Sequence, residues 1–130
     1  MTHFDDIRKA CENHLKDNWN NCPIAYDNMS FDAPDGPWLR CMLRPVLTEN
    51  AALGGLAKRD YASFWIEIFV KPKSGSGLAY EYAKELEILF SNIVLDDITF
   101  YSAETSRVGD NGNGWFKMNV RAKCWAQSNC

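Results

Sequence analysis

The chain has 130 residues, 46% of them hydrophobic and 24% charged, a composition that suits one domain spanning 1–130 around one core and leaves too little chain for two. A formal net charge of −3 and a pI near 5.3 exclude a dedicated nucleic-acid binder, which needs a concentrated basic surface, though local basic stripes remain compatible with that average. The run Met1-Thr2-His3-Phe4-Asp5-Asp6 carries acids where a signal peptide needs basic residues and a long apolar run, and no stretch approaches membrane-spanning length, so a soluble, cytoplasmic protein without a membrane partner is expected.

From Thr2 the sequence reads as a helix: Thr2 can cap it with Asp5 three residues on, and Phe4, Ile7, Cys11 and Leu15 recur on one narrow apolar face. Turn formers at Asn18 to Asn21 and the Cys22-Pro23 step end it, and a short extended segment, Ile24 to Tyr26, follows. The turn cluster Asp32-Ala33-Pro34-Asp35-Gly36-Pro37 leads into a strand from Trp38 to Val46, with Leu39, Cys41 and Leu43 inward and Trp38, Arg40, Met42 and Arg44 outward. Leu47 to Lys58 shows neither strand alternation nor a helical face and is expected to be a long connecting loop.

Tyr61 to Lys71 carries the clearest strand pattern, with Phe64, Ile66, Ile68 and Val70 on one face and Trp65, Glu67, Phe69 and Lys71 on the other. Pro72-Lys73-Ser74-Gly75-Ser76-Gly77 breaks it. Tyr82, Leu86, Leu89, Phe90 and Ile93 then recur at helical spacing, with Glu81 and Lys84 facing water and Ser76 placed to cap. Ile98 to Tyr101 and Trp115 to Ala126 read as two strands joined by a long polar tip, Glu104 to Gly114, whose Asp110-Asn111-Gly112-Asn113-Gly114 run tolerates left-handed backbone angles. On the last strand Phe116, Met118, Val120, Ala122 and Cys124 alternate with Trp115, Lys117, Asn119, Arg121, Lys123 and Trp125. The expected fold is α+β: a single mixed or antiparallel sheet with two helices on one face, in the order α-β-β-β-α-β-β.

Residues that could carry chemistry are few. Five cysteines, Cys11, Cys22, Cys41, Cys124 and Cys130, are scattered without a CxxC pair and read as reduced thiols. His3 and His14 lie three helical turns apart, roughly 16 Å, too far to share a metal, and read as solvated. Gly75-Ser76-Gly77 lacks the lysine and the further glycines of a phosphate loop, and Asp110, Asn111 and Asn113 fail the spacing of a calcium loop. The carboxylate pairs Asp5-Asp6, Asp96-Asp97 and Glu85 with Glu87 fit helix starts, loop edges and solvent faces. No catalytic, cofactor or metal site is therefore assigned, and no enzyme activity is expected.

The outward sheet face is more informative. With both helices on the other side, Trp38, Met42, Trp65, Phe69, Trp115 and Trp125 would lie there, interleaved with Arg40, Arg44, Lys117, Arg121 and Lys123. Aromatic and arginine-rich faces of this kind mark protein interfaces, unless the N-terminal helix or the long loop covers them. The interface candidates are Trp38, Arg40, Met42, Arg44, Trp65, Phe69, Trp115, Arg121 and Trp125.

The segments Cys22-Pro23-Ile24-Ala25-Tyr26-Asp27-Asn28, Pro34-Asp35-Gly36-Pro37-Trp38-Leu39-Arg40, Phe64-Trp65-Ile66-Glu67-Ile68-Phe69-Val70 and Ser74-Gly75-Ser76-Gly77, with the strand from Trp115, resemble the tail terminator or tail-completion proteins of long-tailed bacteriophages. The stretch at Ala62-Ser63 departs from that pattern, which usually has a glycine there. The resemblance implies a non-enzymatic protein of the virion tail, assembled in the host cytoplasm without a cofactor. Subunits would form a ring with six-fold symmetry that caps the tail tube, ends its growth and presents a joining surface to the head. Its implied partners are its own copies, the tail tube protein and a head-completion or connector protein, with no specific nucleic-acid binding. A ring needs two different complementary patches on each subunit. The aromatic face and the edge strands are candidates for one, while the loops Leu47 to Lys58 and Glu104 to Gly114 could reach the tube or the lumen. The competing readings are another neck or tail component, such as a head-completion or tail tube protein, and a small ligand-binding domain or enzyme using a cleft beside Trp38, Trp65 and Trp115.

Overall fold

A computed structural model describes residues 4–27, 29–50, 57–72, 76–110 and 114–129. The elements run α1 (Phe4–Asn18), β1 (Ile24–Ala25), β2 (Trp38–Asn50), β3 (Ala57–Val70), α2 (Gly77–Phe90), β4 (Val94–Leu95), β5 (Ile98–Phe100), β6 (Glu104–Asp110) and β7 (Phe116–Asn129). The expected α+β class and order hold, with short β4 and edge strand β6 added in the second half. The seven strands form one mixed sheet in the order β1-β2-β3-β7-β5-β4, and β6 joins β7 on the same side as β5. Only the β1–β2 pair is parallel; the other ladders are antiparallel.

Both helices lie on one face because their apolar stripes have no other place to go. Ile7, Cys11 and Leu15 of α1 and Ala79, Ala83, Leu86 and Phe90 of α2 are buried in one cluster with Leu39, Cys41, Phe64, Ile66, Ile68, Met118 and Val120 of the sheet. Each large side chain among them contributes about 1.5–3 kcal/mol by leaving water. Trp19, in the stretch read as a turn, also reaches this core and meets Tyr82 edge-on at 5.0 Å.

The described parts of two expected loops are strand. Of the stretch Leu47 to Lys58, residues 47–50 continue β2 and residues 57–58 open β3, while 51–56 lie outside the described residues. The alternation was hidden by a bulge between Pro45 and Leu47, which inserts one residue and moves every later side chain to the other face. Glu104 to Gly114 is likewise largely strand, β6 pairing with β7 from Glu104 to Asp110 around a second bulge between Arg107 and Gly109. Gly109 takes φ +94 there, open to glycine at little cost. As an edge strand β6 buries almost nothing, so it has no apolar face to read.

Smaller corrections concern the helices. His14 is not solvated: its Nε2 sits 3.0 Å from the Leu89 carbonyl oxygen and its ring meets Phe90 edge-on at 5.1 Å, tying α1 to α2. Ser76 stands at the start of α2 without a capping hydrogen bond from its side chain. Ile93 lies past the end of α2, where Asn92 adopts φ 54 and turns the chain toward β4. Residues 1–3, which include Thr2 and His3, and Asn111 to Asn113 lie outside the described residues.

Candidate functional site

The sheet face opposite the helices collects all nine sequence-derived interface candidates. Alternation places Trp38, Arg40, Met42 and Arg44 there from β2, Trp65 and Phe69 from β3, and Trp115, Arg121 and Trp125 from β7 and its approach. Direct cross-strand partners confirm the arrangement: Trp38 is opposite Phe69, Met42 opposite Trp65, and Trp65 opposite Arg121.

The face divides into two regions. At one end Trp38 stacks on Phe69 at 4.1 Å and 8°, Phe31 lies on Trp38 at 5.1 Å, and Trp115 meets both rings edge-on at 6.0 and 6.5 Å. Trp38 and Phe69 are therefore buried, 5% and 6% exposed, in a small core of their own with Ala25. Among the described residues the covering element at this end is the segment around Phe31, in the connection between β1 and β2.

The remainder is a lattice of cations on half-buried rings. The Arg44 guanidinium lies 4.2 Å from the Trp65 ring centre with Arg121 at 5.3 Å, Arg59 lies 4.7 Å from Trp125, and the Lys71 ammonium lies 4.2 Å from Trp115. Such contacts contribute about 0.5–1 kcal/mol each at exposed sites. Lys117 pairs with the nearly buried Glu67, and Arg121 reaches Glu104 at 3.4 Å. Arg40, Arg44, Arg59, Lys71, Lys117, Arg121 and Lys123 outnumber Glu49, Glu67 and Glu104 on this face, so it is basic in a chain of formal net charge −3. Among the described residues, the buried side-chain polar atoms without a hydrogen-bond partner are Trp38 Nε1, Arg59 Nε, Asn119 Oδ1 and Arg121 Nε. All four belong to this face, and buried polar groups ordinarily find partners. Arg59 was missed in the sequence because it stands between the stretch read as a loop, ending at Lys58, and the strand read from Tyr61, although the alternation of β3 runs on to it without a break; Phe31 sits in a polar stretch with no periodic signal.

Beside Trp125 an open groove of about 380 Å³ is lined by Val46, Leu47, Tyr61, Ser63, Tyr101 and Lys123. Its acid, Glu49, accepts a hydrogen bond from the Tyr61 hydroxyl at 2.9 Å, so the groove offers no free base beside a nucleophile.

Chemistry is no better supplied elsewhere. Cys11, Cys22, Cys41 and Cys124 are free thiols. Contact with Cys124 and burial hold the Cys11 thiol well above its ordinary range, and burial pushes Cys41 up to about 12, so both stay protonated and unreactive at neutral pH. Among the described residues no cluster of three or more His, Cys, Asp or Glu could hold a metal ion, and no helix is long and apolar enough to cross a membrane.

A helix-backed sheet with a basic aromatic outer face is suited to meeting another protein surface. Comparison with known proteins agrees: residues 6–121 match the family model of the phage tail terminator protein, and the chain belongs to that family. One solved structure, 22% identical, covers 100% of this chain over 99% of its own length with a TM-score of 0.69, a likeness of fold. No curated protein matches the sequence. The chain is accordingly a structural component of a bacteriophage tail.

Proposed function

We propose that the protein caps the tail tube, stops its polymerisation and forms the surface to which the head is joined, acting as an oligomeric ring, with six-fold symmetry the expectation from the family resemblance. It works by binding protein surfaces and catalyses no reaction, assembles in the host cytoplasm and remains in the virion tail. Its partners are its own copies, the tail tube protein and a head-completion or connector protein.

The observation that carries this reading is the outer face, where half-buried aromatics, excess cations and unpartnered buried polar atoms coincide. Aromatic and arginine side chains are enriched at interface centres, and the charge excess favours an acidic partner surface by steering and complementarity. The family assignment supplies the tail.

Deleting the gene from its phage and measuring tails by negative-stain electron microscopy tests the reading. Overlong or headless tails are expected. Tails of normal length joined to heads would overturn it.

A further inference from the structure

We propose that β2 of one copy pairs with β6 of the next, so that the ring is sealed by a sheet running from subunit to subunit; this rests on the ring proposed above. Among the described residues both edges of the sheet are open. β1 covers only Leu39 and Arg40 of β2, and Arg44 to Glu49 beyond them are exposed. On the far side β6 pairs with β7, and no other strand among the described residues pairs with it. Unpaired edges invite pairing with another chain.

The backbone phase of each edge is fixed by the hydrogen bonds around it. The Leu39 N–H donates to the Pro23 carbonyl oxygen at 2.9 Å, away from β3. By the alternation of an antiparallel ladder Cys41, Leu43 and position 45 point the same way, which is how Pro45 is accommodated, and the bulge passes the phase to Thr48. The Tyr101 N–H donates to the Lys123 carbonyl oxygen at 3.0 Å, so odd-numbered residues of β7 face β6. Ser106, opposite Asn119, is then bound within the sheet, while Thr105 and Arg107 turn their backbone groups outward.

Three features commit the edges to each other. β2, β3, β7 and β6 are successively antiparallel, so β2 and β6 run in opposite directions, and a neighbour in the same orientation offers β6 antiparallel to β2. Each edge also carries one extra residue, Val46 in β2 and Val108 in β6, exposed at 60% and 50%. A straight strand could pair with β2 on only one side of its bulge, whereas a strand with a matching bulge stays in phase on both. Charge selects the alignment: Thr48 opposite Arg107 sets Glu49 by Ser106 and makes the two valines diagonal neighbours across the seam, while a shift of two residues would set Glu49 against Glu104.

Purified wild-type chain, Thr48→Pro and Arg107→Pro are compared by light scattering behind size exclusion, with circular dichroism to verify folding. Each proline removes an outward donor and leaves the subunit's own ladder intact. Wild type should form a ring, either variant alone a monomer, and an equimolar mixture a species of twice the monomer mass, because one intact β2 and one intact β6 remain. Rings formed by either variant, or a mixture that stays monomeric, would overturn the edge pairing and leave the ring itself standing; monomeric wild type would overturn both. Should a proline variant unfold, Val46→Lys with Val108→Lys should prevent assembly and Val46→Lys with Val108→Asp restore it; equal assembly of the two pairs would overturn the proposal.

Discussion

The two faces of the sheet use the same strands in opposite ways. Under the helices Phe64, Ile66, Ile68, Met118 and Val120 are at most 1% exposed and form one apolar layer. On the outer face Trp65 and Trp125 remain half exposed beneath arginines, and polar atoms are left without partners. Apolar burial supplies the free energy of folding, and the outer face adds modest ring–cation contacts that a partner surface can extend. The Trp38 end is an exception, since it lies on the outer side yet is packed as a core.

The contrast is sharpest in substitutions. Phe64→Ala, cutting a fully buried ring out of the layer beneath Phe90, should destabilise the monomer by about 3–5 kcal/mol in chemical denaturation. Trp38→Ala should cost on the order of 3 kcal/mol despite its outward position, because it empties the stack between Phe31 and Phe69. A cost below about 1 kcal/mol would show that the end cluster belongs with the recognition surface.

Alkaline titration probes the inner face. Cys41 has its thiol raised from 9.0 to about 12 by burial, so the unfolded chain loses this proton first. The stabilisation is fully present below pH 9 and declines as pH rises from about 9 to about 12, by roughly 4 kcal/mol at most, and Cys41→Ala should flatten that slope in denaturation midpoints. The smallest effect is expected from Glu67→Gln, which removes the ion pair with Lys117 at a largely buried site and should cost about 1–3 kcal/mol in thermal unfolding.

Much of this contrast was legible before folding. The alternation of Phe64 to Val70 and of Phe116 to Cys124 specified which side chains meet the helices, and the same alternation assembled the outer face. What was hidden had local causes. Single-residue bulges at Val46 and Val108 reversed the alternation and made strands read as loops. β6 is held by its ladder and by a Thr105 to Glu87 hydrogen bond rather than by burial, so composition could not reveal it. The covering of Trp38 by Phe31 depends on a chain segment with no periodicity, and the link from His14 to Leu89 on tertiary packing 75 residues apart.

The central claim is that the outer face serves assembly while the inner face serves folding. Trp65→Glu in the phage tests it most directly, because Trp65 lies under Arg44 and Arg121 and away from the helix-covered core. Tail lengths in the lysate are measured by electron microscopy, with the unfolding midpoint of the purified variant alongside. The account predicts overlong or headless tails with a midpoint within about 1 kcal/mol of wild type. Normal tails from a stably folded variant would contradict it.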